Sequence, residues 1–439
     1  MSGGIFLGRE NEVKYLQGFY DRPGSQILVV YGTKGVGKTA LLKHFSEDKE
    51  SVYYAARLCS DREQLQEWRM ELLSDGNTAA SAVDYAGVLE GLCDEAPEKK
   101  IIIIDEFQNL IGGEGEFFKA LTEYVANRGN EAPVLVVLLS SASGYIENNL
   151  VHNIGALARN ISGFLKLKEL PLQMINTVFK DFSIKDAFCY YAVLGGIPGL
   201  WKSLDTDKDF KENITDNIIS PYSKIYRDME VFMAENLREP AVYNTILKAI
   251  SSGKTKLNDI YAHTGYSRAK ISVYLKNLME LDVIEKLYAG VYEITIPYLR
   301  FYFKFIFPNR SDFERLSTDE FFDKRVAPEL LTFSESAYRE SCRQKASEIL
   351  YPGCEVSEVL DKKGNVDISF VTKDGASVIG MCVLSRPLND KDYRAVLKNA
   401  KRNNINADKV LLFSEVGFDK GLDKYVNKDV LELKSLFTG

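Results

Sequence analysis

Residues 26–39 read QILVVYGTKGVGKT, and this stretch decides the fold of the first part of the chain. An apolar, β-branched run opens it, a glycine-rich loop follows, and a helical pattern begins at Ala40. A strand, a glycine-rich loop and a helix in this order are the setting of a phosphate-binding P-loop. Gly32, Gly35 and Gly37 let the backbone curl so that successive N–H groups point at one phosphate.

Two further side chains of this loop have the chemistry that nucleotide binding requires. Lys38 is predicted to reach the β and γ oxygens of ATP, and the Thr39 hydroxyl is predicted to bind Mg²⁺. The helix that starts here adds the positive end of its dipole to the same site. The residues predicted to line the nucleotide are Gly32, Thr33, Lys34, Gly35, Val36, Gly37, Lys38, Thr39 and Ala40.

A second apolar strand ends in a pair of acids. Residues 99–106 read KKIIIIDE, and four consecutive isoleucines fit a parallel strand that is buried on both faces. The acids emerge at its carboxyl end, where ligands bind in open α/β sheets. Asp105 is predicted to help hold Mg²⁺, and Glu106 is predicted to polarise the attacking water. The alternative is the solvated end of an ordinary strand.

A third apolar strand, residues 132–139, runs directly into the polar sequence SSAS. Ser141 is predicted to touch the γ-phosphate or the attacking water, and a plain loop start is the alternative. Strands separated by helical patterns predict an α/β fold with a doubly wound parallel sheet. The predicted strands lie near 26–31, 51–55, 101–104, 134–139 and 164–168.

These motifs, together with residues 6–10 (FLGRE) and 195–199 (GGIPG), resemble the archaeal-type ATPases of prokaryotes. Those proteins are AAA-type P-loop ATPases close to the STAND signalling ATPases. The resemblance implies ATP hydrolysis with Mg²⁺ by an AAA-type sheet. It also implies that Phe6, Gly8 and Arg9 lie over the adenine and ribose.

The resemblance adds an arginine and a lid. Relatives have Gly-Arg where this chain has Ala158 and Arg159, so Arg159 is implied to stabilise charge on the γ-phosphate during hydrolysis. A surface arginine is the alternative. Gly196 and Pro198 are implied to mark a small helical lid that closes on the nucleotide, against the alternative of a helix-breaking turn.

The middle of the chain predicts a winged helix-turn-helix. Three helical segments between residues 243 and 281 are separated by turns at Gly253 and Gly265. In the third segment, Ile271, Leu275 and Leu278 fall on one buried face. Residues 283–287 and 291–296 would form the wing.

The exposed face of the third helical segment carries basic residues. Arg268, Lys270 and Lys276 are predicted to contact DNA phosphates or bases. Acidic residues dilute this charge, so a winged helix used for protein-protein contacts or as an extension of the lid remains the alternative.

The resemblance also implies a last domain similar to the restriction-endonuclease-like nucleases. Their active form uses a Glu on a helix, an Asp after a hairpin turn and a Glu-x-Lys pair on the next strand. The matching positions here hold Arg339, Asp367, Met381 and Val383. Because one carboxylate of three is left, this domain is predicted to be inactive and to bind a protein partner. The alternative is that Glu340 or Lys373 has taken over a lost role.

The length of the chain limits the number of domains, and its net charge limits how it could contact DNA. A chain of 439 residues is long enough for about three domains. The predicted divisions are the ATPase core at 1–170, a helical lid at 171–238, a winged helix-turn-helix at 239–308 and a nuclease-like domain at 309–439. The net charge of −7 leaves no basic field over the whole molecule, so any DNA contact must come from a local patch.

The composition also bears on location. The sequence has no leader pattern and no apolar run near the ~20 residues that span a bilayer. Its six cysteines show no zinc-binding spacing. A cytoplasmic protein without a membrane segment is predicted, and its oligomeric state is left open.

Overall fold

The computed structural model describes residues 8–74, 81–92, 99–110, 116–128, 132–172, 174, 182–227, 239–287, 290–359, 364–426, 428 and 430–436. The chain divides into two compact units. The first comprises residues 1–169, 197–199 and 275–284. The second comprises residues 170–196, 200–274 and 285–439.

The first unit is built on a parallel sheet of five strands in the order β2-β3-β4-β1-β5. The strands are β1 Gln26–Tyr31, β2 Ser51–Ala55, β3 Lys100–Asp105, β4 Val134–Ser140 and β5 Gly163–Lys166. All five strands predicted from the sequence are therefore confirmed, with small shifts at their ends. The non-consecutive strand order is that of a doubly wound sheet.

Helices cover both faces of this sheet. They are α1 Glu10–Tyr20, α2 Lys38–Phe45, α3 Asp61–Ser74, α4 Tyr85–Gly91, α5 Glu116–Asn127, α6 Ser143–Asn148 and α7 Leu150–Ile154. Successive residues of β1 alternate between two apolar layers, with Ile27 and Val29 in one and Leu28 and Val30 in the other. Burial on both faces explains why the central strands read as continuous apolar runs.

The segment after the sheet is helical. Its described elements are α8 Ile184–Leu194, α9 Pro198–Trp201, α10 Phe210–Ile214 and a π-helical turn at Thr215–Ile219. Phe188, Tyr191 and Leu194 of α8 are buried and form part of the core of this segment.

The helix-turn-helix prediction is confirmed. Its helices are α11 Pro240–Ser251, α12 Leu257–Thr264 and α13 Arg268–Glu280, and β6 Ile284–Lys286 pairs with β7 Tyr292–Ile294 as the wing. Ile271, Leu275 and Leu278 are at most 1% exposed, as the spacing predicted. The helices that follow are α14 Pro297–Phe301, α15 Arg310–Arg315, α16 Thr318–Phe321 and α17 Ala327–Lys345.

The C-terminal part carries a mixed sheet of five strands in the order β12-β11-β10-β9-β8. The elements are β8 Ser357–Val359, β9 Val366–Val371, β10 Ser377–Val383, α18 Asp390–Arg402, β11 Lys409–Ser414, α19 Asp423–Val426 and β12 Leu431–Lys434. β10, β11 and β12 run parallel, whereas β8 and β9 pair antiparallel with their neighbours. An α/β C-terminal domain is thereby confirmed. None of the described helices is long and apolar enough to cross a membrane.

Candidate functional site

The glycine-rich loop joins β1 to α2 at the carboxyl edge of the sheet. Gly35 and Gly37 have φ values of 84° and 105°, a left-handed conformation that residues with a side chain rarely adopt. A Cβ built at Gly32 would lie 2.3 Å from the Leu167 carbonyl oxygen. The Gly32 N–H donates to the Ser140 carbonyl oxygen at 3.2 Å, which ties the loop to the end of β4. These glycines are therefore required by the backbone conformation and by space.

Lys38 is the buried cation of this loop, with 6% of its surface exposed. Its Nζ donates to the carbonyl oxygens of Gly32 at 2.8 Å and Thr33 at 3.3 Å. Burial lowers the pKa of Lys38, and the negative charges of Glu106 and Asp105 oppose that effect. The ammonium group is thus held between the loop and the two predicted acids.

Asp105 lies at the end of β3, and its carboxylate accepts three hydrogen bonds. Oδ2 accepts from Thr39 Oγ1 and from the Tyr53 hydroxyl, both at 2.8 Å. Oδ1 accepts from the Glu106 N–H at 2.9 Å. The two residues predicted to hold Mg²⁺, 66 positions apart in the sequence, are therefore in direct contact.

The chemistry of this pair fits magnesium. Mg²⁺ prefers oxygen ligands and is usually held by one or two protein groups together with water and phosphate oxygens. Thr39 Oγ1 and the Asp105 carboxylate are such ligands beside a phosphate-binding loop. The described part of the chain contains no group of three or more His, Cys, Asp or Glu side chains suited to a metal. The remaining ligands would therefore come from water and nucleotide.

Glu106 follows Asp105 in a left-handed conformation, with φ at 52°. Its Oε2 accepts from Gln108 Nε2 at 2.6 Å, from Ser141 Oγ at 2.7 Å and from the Ser141 N–H at 3.1 Å. Burial by itself would raise the pKa of Glu106, but these hydrogen bonds and the charge of Lys38 outweigh it and lower the pKa. The carboxylate is therefore ionised at neutral pH and fixed in direction.

Tyr53 and Gln108 belong to the site but were missed from the sequence. Tyr53 lies on β2, which pairs in parallel with β3 so that Ala55 is opposite Asp105. That register cannot be read from the sequence, because the two strands are separated by two helices. Gln108 is two positions after Glu106 in the sequence and donates a hydrogen bond to it. This short separation could have indicated from the sequence that Gln108 lies near the acids.

The N-terminal segment contacts the backbone of the P-loop through Arg9. The Arg9 guanidinium is buried and donates to the carbonyl oxygens of Val36 at 3.1 Å and Lys168 at 2.7 Å. It also pairs with Glu12 at 3.0 Å. Gly8 precedes it with φ at 71°. Arg9 thus anchors the P-loop backbone, while its predicted proximity to the ribose stays a prediction. Phe6 lies outside the described residues.

The turn at Pro198 also reaches the P-loop. The Gly199 N–H donates to the Gly35 carbonyl oxygen at 3.2 Å. A Cβ built at Gly196 would lie 1.9 Å from the Leu170 carbonyl oxygen, so this position has no room for a side chain. Contact with the loop is consistent with the predicted role of Pro198 beside the nucleotide, which remains a prediction.

Four of the residues predicted for the nucleotide site are exposed, and they are Lys34, Gly35, Ala40 and Arg159. Lys34 and Ala40 lie on the open side of the loop and of α2. Arg159 lies near the end of the 3-10 helix Gly155–Asn160. Among the described residues, no hydrogen bond or ion pair joins Arg159 to the acids or to Lys38. Its role toward the γ-phosphate therefore stays a prediction.

We expect Ser141→Ala to lower the rate of ATP hydrolysis at neutral pH by roughly ten-fold, because a hydrogen bond to a charged group is worth about 1.5 kcal/mol. The hydrogen-bond donors lower the pKa of Glu106 in the folded protein. The carboxylate is therefore charged above the ordinary carboxyl range, and it loses its charge only when the pH falls through the lowered pKa. Loss of the Ser141 hydroxyl should move the acid limb of the pH-rate profile upward. An unchanged acid limb would contradict this reading.

The three basic residues predicted to contact DNA differ in how far nearby carboxylates neutralise their charge. Lys270 pairs with Glu239 at 3.3 Å, and Lys276 pairs with Glu280 at 3.6 Å. Arg268 is exposed, and its guanidinium carbon lies 4.8 Å from the centre of the Tyr261 ring. No carboxylate within the described residues forms an ion pair with Arg268. It therefore has the least neutralised charge of the three.

In the C-terminal sheet, the Asp367 carboxylate accepts from the Cys382 N–H at 2.9 Å. Burial raises the pKa of Asp367, while this hydrogen bond and the charges of Arg339 and Arg343 act in the opposite direction. The predicted substitute acid, Glu340, pairs with Arg343 at 2.7 Å.

Two other side chains bear on the predicted nuclease-like site. Lys373, the predicted substitute for the lost lysine, lies beside Gly353, where a built Cβ would be 3.2 Å from Lys373 Nζ. Glu335, which was not predicted from the sequence, acts electrostatically on Asp367 and accepts from the Leu384 and Ser385 N–H groups. These backbone contacts already satisfy the Glu335 carboxylate.

Comparison with known proteins finds two matching families and one similar protein. Residues 6–204 match the family of ATPase domains found predominantly in Archaea, and residues 244–286 match the arsR family of bacterial regulatory proteins. An uncharacterised protein of Methanocaldococcus jannaschii is 28% identical over 320 residues, which are 71% of this chain and 71% of that protein.

A solved structure from Pyrococcus abyssi has a similar fold. The Walker-type ATPase of Pyrococcus abyssi superposes with a TM-score of 0.52 at 17% identity, over 68% of this chain and 96% of that one. The ORC2 protein of Aeropyrum pernix gives a TM-score of 0.43 at 12% identity, over 76% of this chain and 97% of that one. Residues 6–204 are therefore similar to the archaeal-type P-loop ATPase domains, and residues 244–286 are similar to the helix-turn-helix of the arsR-type regulators.

Proposed function

We propose that this protein hydrolyses ATP with Mg²⁺ and works as a nucleotide-driven switch. The observation that carries the proposal is the meeting of Lys38, Thr39, Asp105 and Glu106 at one edge of the parallel sheet. These groups come from the P-loop and from the neighbouring strand end, and each has a place in phosphoryl transfer.

The proposed roles follow from the contacts. The Lys38 ammonium would exchange its bonds to the loop carbonyls for the β and γ oxygens of ATP. Thr39 and Asp105 would hold Mg²⁺, which when bound neutralises charge on the phosphates. The ionised Glu106 would accept a hydrogen bond from the attacking water and orient it toward the γ-phosphate. Ser141 and Gln108 would fix the direction of that carboxylate.

A slow switch that stays locked on its nucleotide is the second form of this proposal. The three donors to Glu106 support it, because a carboxylate oxygen already bonded to Gln108 and Ser141 would delay hydrolysis until those contacts change. Nucleotide content of the purified protein and phosphate release distinguish the two. Stoichiometric bound ATP or ADP with negligible release indicates the locked switch. The mass in solution with and without ATP tests whether the nucleotide also changes its assembly.

We also propose DNA as a partner of the winged helix, because the exposed Arg268 is not neutralised by a described carboxylate. Arg268→Glu is expected to weaken binding of duplex DNA by ten-fold or more and to reduce its salt dependence. Fluorescence anisotropy at two salt concentrations measures this. Asp259→Asn, which removes an exposed acid of α12, is the control and should not weaken binding. Equal affinity of wild type and Arg268→Glu would favour a protein partner for this module.

The C-terminal domain is proposed to be a nuclease-like fold without metal chemistry that binds a protein partner. Asp367 is held by the Cys382 N–H, and its charged neighbours are Arg339, Arg343 and Glu335. The two arginine charges disfavour a cation there. We expect the purified chain to leave plasmid DNA intact with Mg²⁺ or Mn²⁺, with and without ATP. Cleavage that disappears in Asp367→Ala would overturn this.

The location of the protein is proposed from its cysteines. The cysteines are scattered along the chain and suit reduced thiols, and we propose the cytoplasm as the location of the protein.

A further inference from the structure

The turn after the third helix of the helix-turn-helix holds a carboxylate in a defined place. Asp282 has φ at 55°, a left-handed conformation that is uncommon for a residue with a side chain. Its Oδ2 accepts from the Gly144 N–H at 2.6 Å. Burial raises the pKa of Asp282, and the backbone N–H groups of Gly144 and Ser143 act in the opposite direction. Asp282 therefore binds the backbone at the start of α6.

The approach at Gly144 is too close for any other residue. A Cβ built at Gly144 would lie 2.8 Å from the Glu280 carbonyl oxygen and 3.1 Å from that of Met279. It would also lie 3.0 Å from Asp282 Oδ1. Residues 275–284 accordingly belong to the same compact unit as the P-loop sheet, whereas residues 268–274 of the same helix belong to the second unit.

Gly144 is three residues from Ser141, the residue that holds Glu106. The intervening backbone has little freedom, because the Ala142 N–H donates to Ser140 Oγ at 3.1 Å and Ser143 is buried. Ser141 donates to Glu106 through both its hydroxyl and its N–H. A change of position at Ser141 is therefore transmitted to Gly144 over one short, restrained segment.

We infer that Asp282 couples the Glu106–Ser141 pair to the third helix, α13, of the helix-turn-helix. The inference rests on the proposed function, since it specifies how that nucleotide site regulates the winged helix. Arrival of a γ-phosphate moves the Ser141 end of β4, the Gly144 N–H moves with it, and Asp282 carries the displacement into the end of α13. Asp282 is a positioning residue in this scheme and touches no nucleotide.

Hydrogen exchange of the full-length chain tests the coupling. Peptides from residues 268–286 are followed with Mg²⁺ and either ADP or a non-hydrolysable ATP analogue. In the wild type we expect their exchange rates to differ several-fold between the two nucleotides. Asp282→Gly should bring the two rates to within about two-fold while leaving nucleotide affinity unchanged, since glycine tolerates the φ of this turn.

Two further variants keep the result specific. Asp282→Asn retains an acceptor for the Gly144 N–H and should keep part of the difference. Glu280→Gln changes a nearby acid that pairs with Lys276, and it should keep the whole difference.

A nucleotide-dependent difference of wild-type size in Asp282→Gly would refute the coupling. Failure of the wild type to bind the analogue would overturn the proposed ATPase itself. Binding of both nucleotides with identical exchange in residues 268–286 would overturn only the inference.

Discussion

Lys38→Ala is expected to abolish ATP hydrolysis and to weaken ATP binding about a hundred-fold. The Lys38 ammonium is buried and bonded to P-loop carbonyls, so water would not easily replace its proposed contacts to the phosphates in the variant. A hydrogen bond to a charged group contributes about 3 kcal/mol at most, and about 1.4 kcal/mol corresponds to ten-fold in affinity. Titration of a fluorescent ATP analogue measures the change.

Lys43→Ala is the matched control for this experiment. Lys43 is on the same helix, α2, but its side chain is exposed. We expect the Lys43 variant to bind and hydrolyse ATP as the wild type does. The melting temperature of both variants separates a binding defect from loss of the fold. Wild-type affinity in a folded Lys38→Ala protein would rule out the P-loop as the nucleotide site.

Glu106→Gln is expected to lower the rate of hydrolysis by roughly 10² to 10³ while ATP still binds. Glutamine has the shape of glutamate and retains an oxygen for the Ser141 and Gln108 donors. It lacks the negative charge that orients and polarises the attacking water. Binding should persist because the phosphate contacts come from the P-loop and not from Glu106.

Glu116→Gln is the control for charge removal. Glu116 is exposed at the first residue of α5, and its replacement should leave both binding and hydrolysis unchanged. Equal turnover in wild type and Glu106→Gln would mean that another group activates the water. Arg159 and Ser141 would then be the first residues to replace.

Much of the ATPase domain could be predicted from local sequence because its signals are local. The five strands are apolar runs at the expected places, and the P-loop fixes the positions of Lys38 and Thr39. The contact between Thr39 and Asp105 followed from a general rule, since parallel strands bring their carboxyl ends to one edge.

The parts that sequence reasoning missed depend on contacts between distant segments. Tyr53 reaches Asp105 only through the register of β2 against β3. The place of Arg9 beside the nucleotide stays a prediction, whereas the contact of its guanidinium with the P-loop backbone was not predicted. Asp282 is 138 positions from Gly144, and no periodicity or motif joins them. Each of these contacts is set by tertiary packing and not by local propensity.

Single-turnover hydrolysis tests the proposed mechanism most directly. The full-length protein, in excess over ATP and with Mg²⁺, is compared with Glu106→Gln after binding of ATP to each has been measured. We predict equal binding, with phosphate formed at least about 100-fold faster by the wild type than by the variant. Equal rates of phosphate formation, or no phosphate formed by a wild type that binds ATP, would contradict hydrolysis at this site through Glu106.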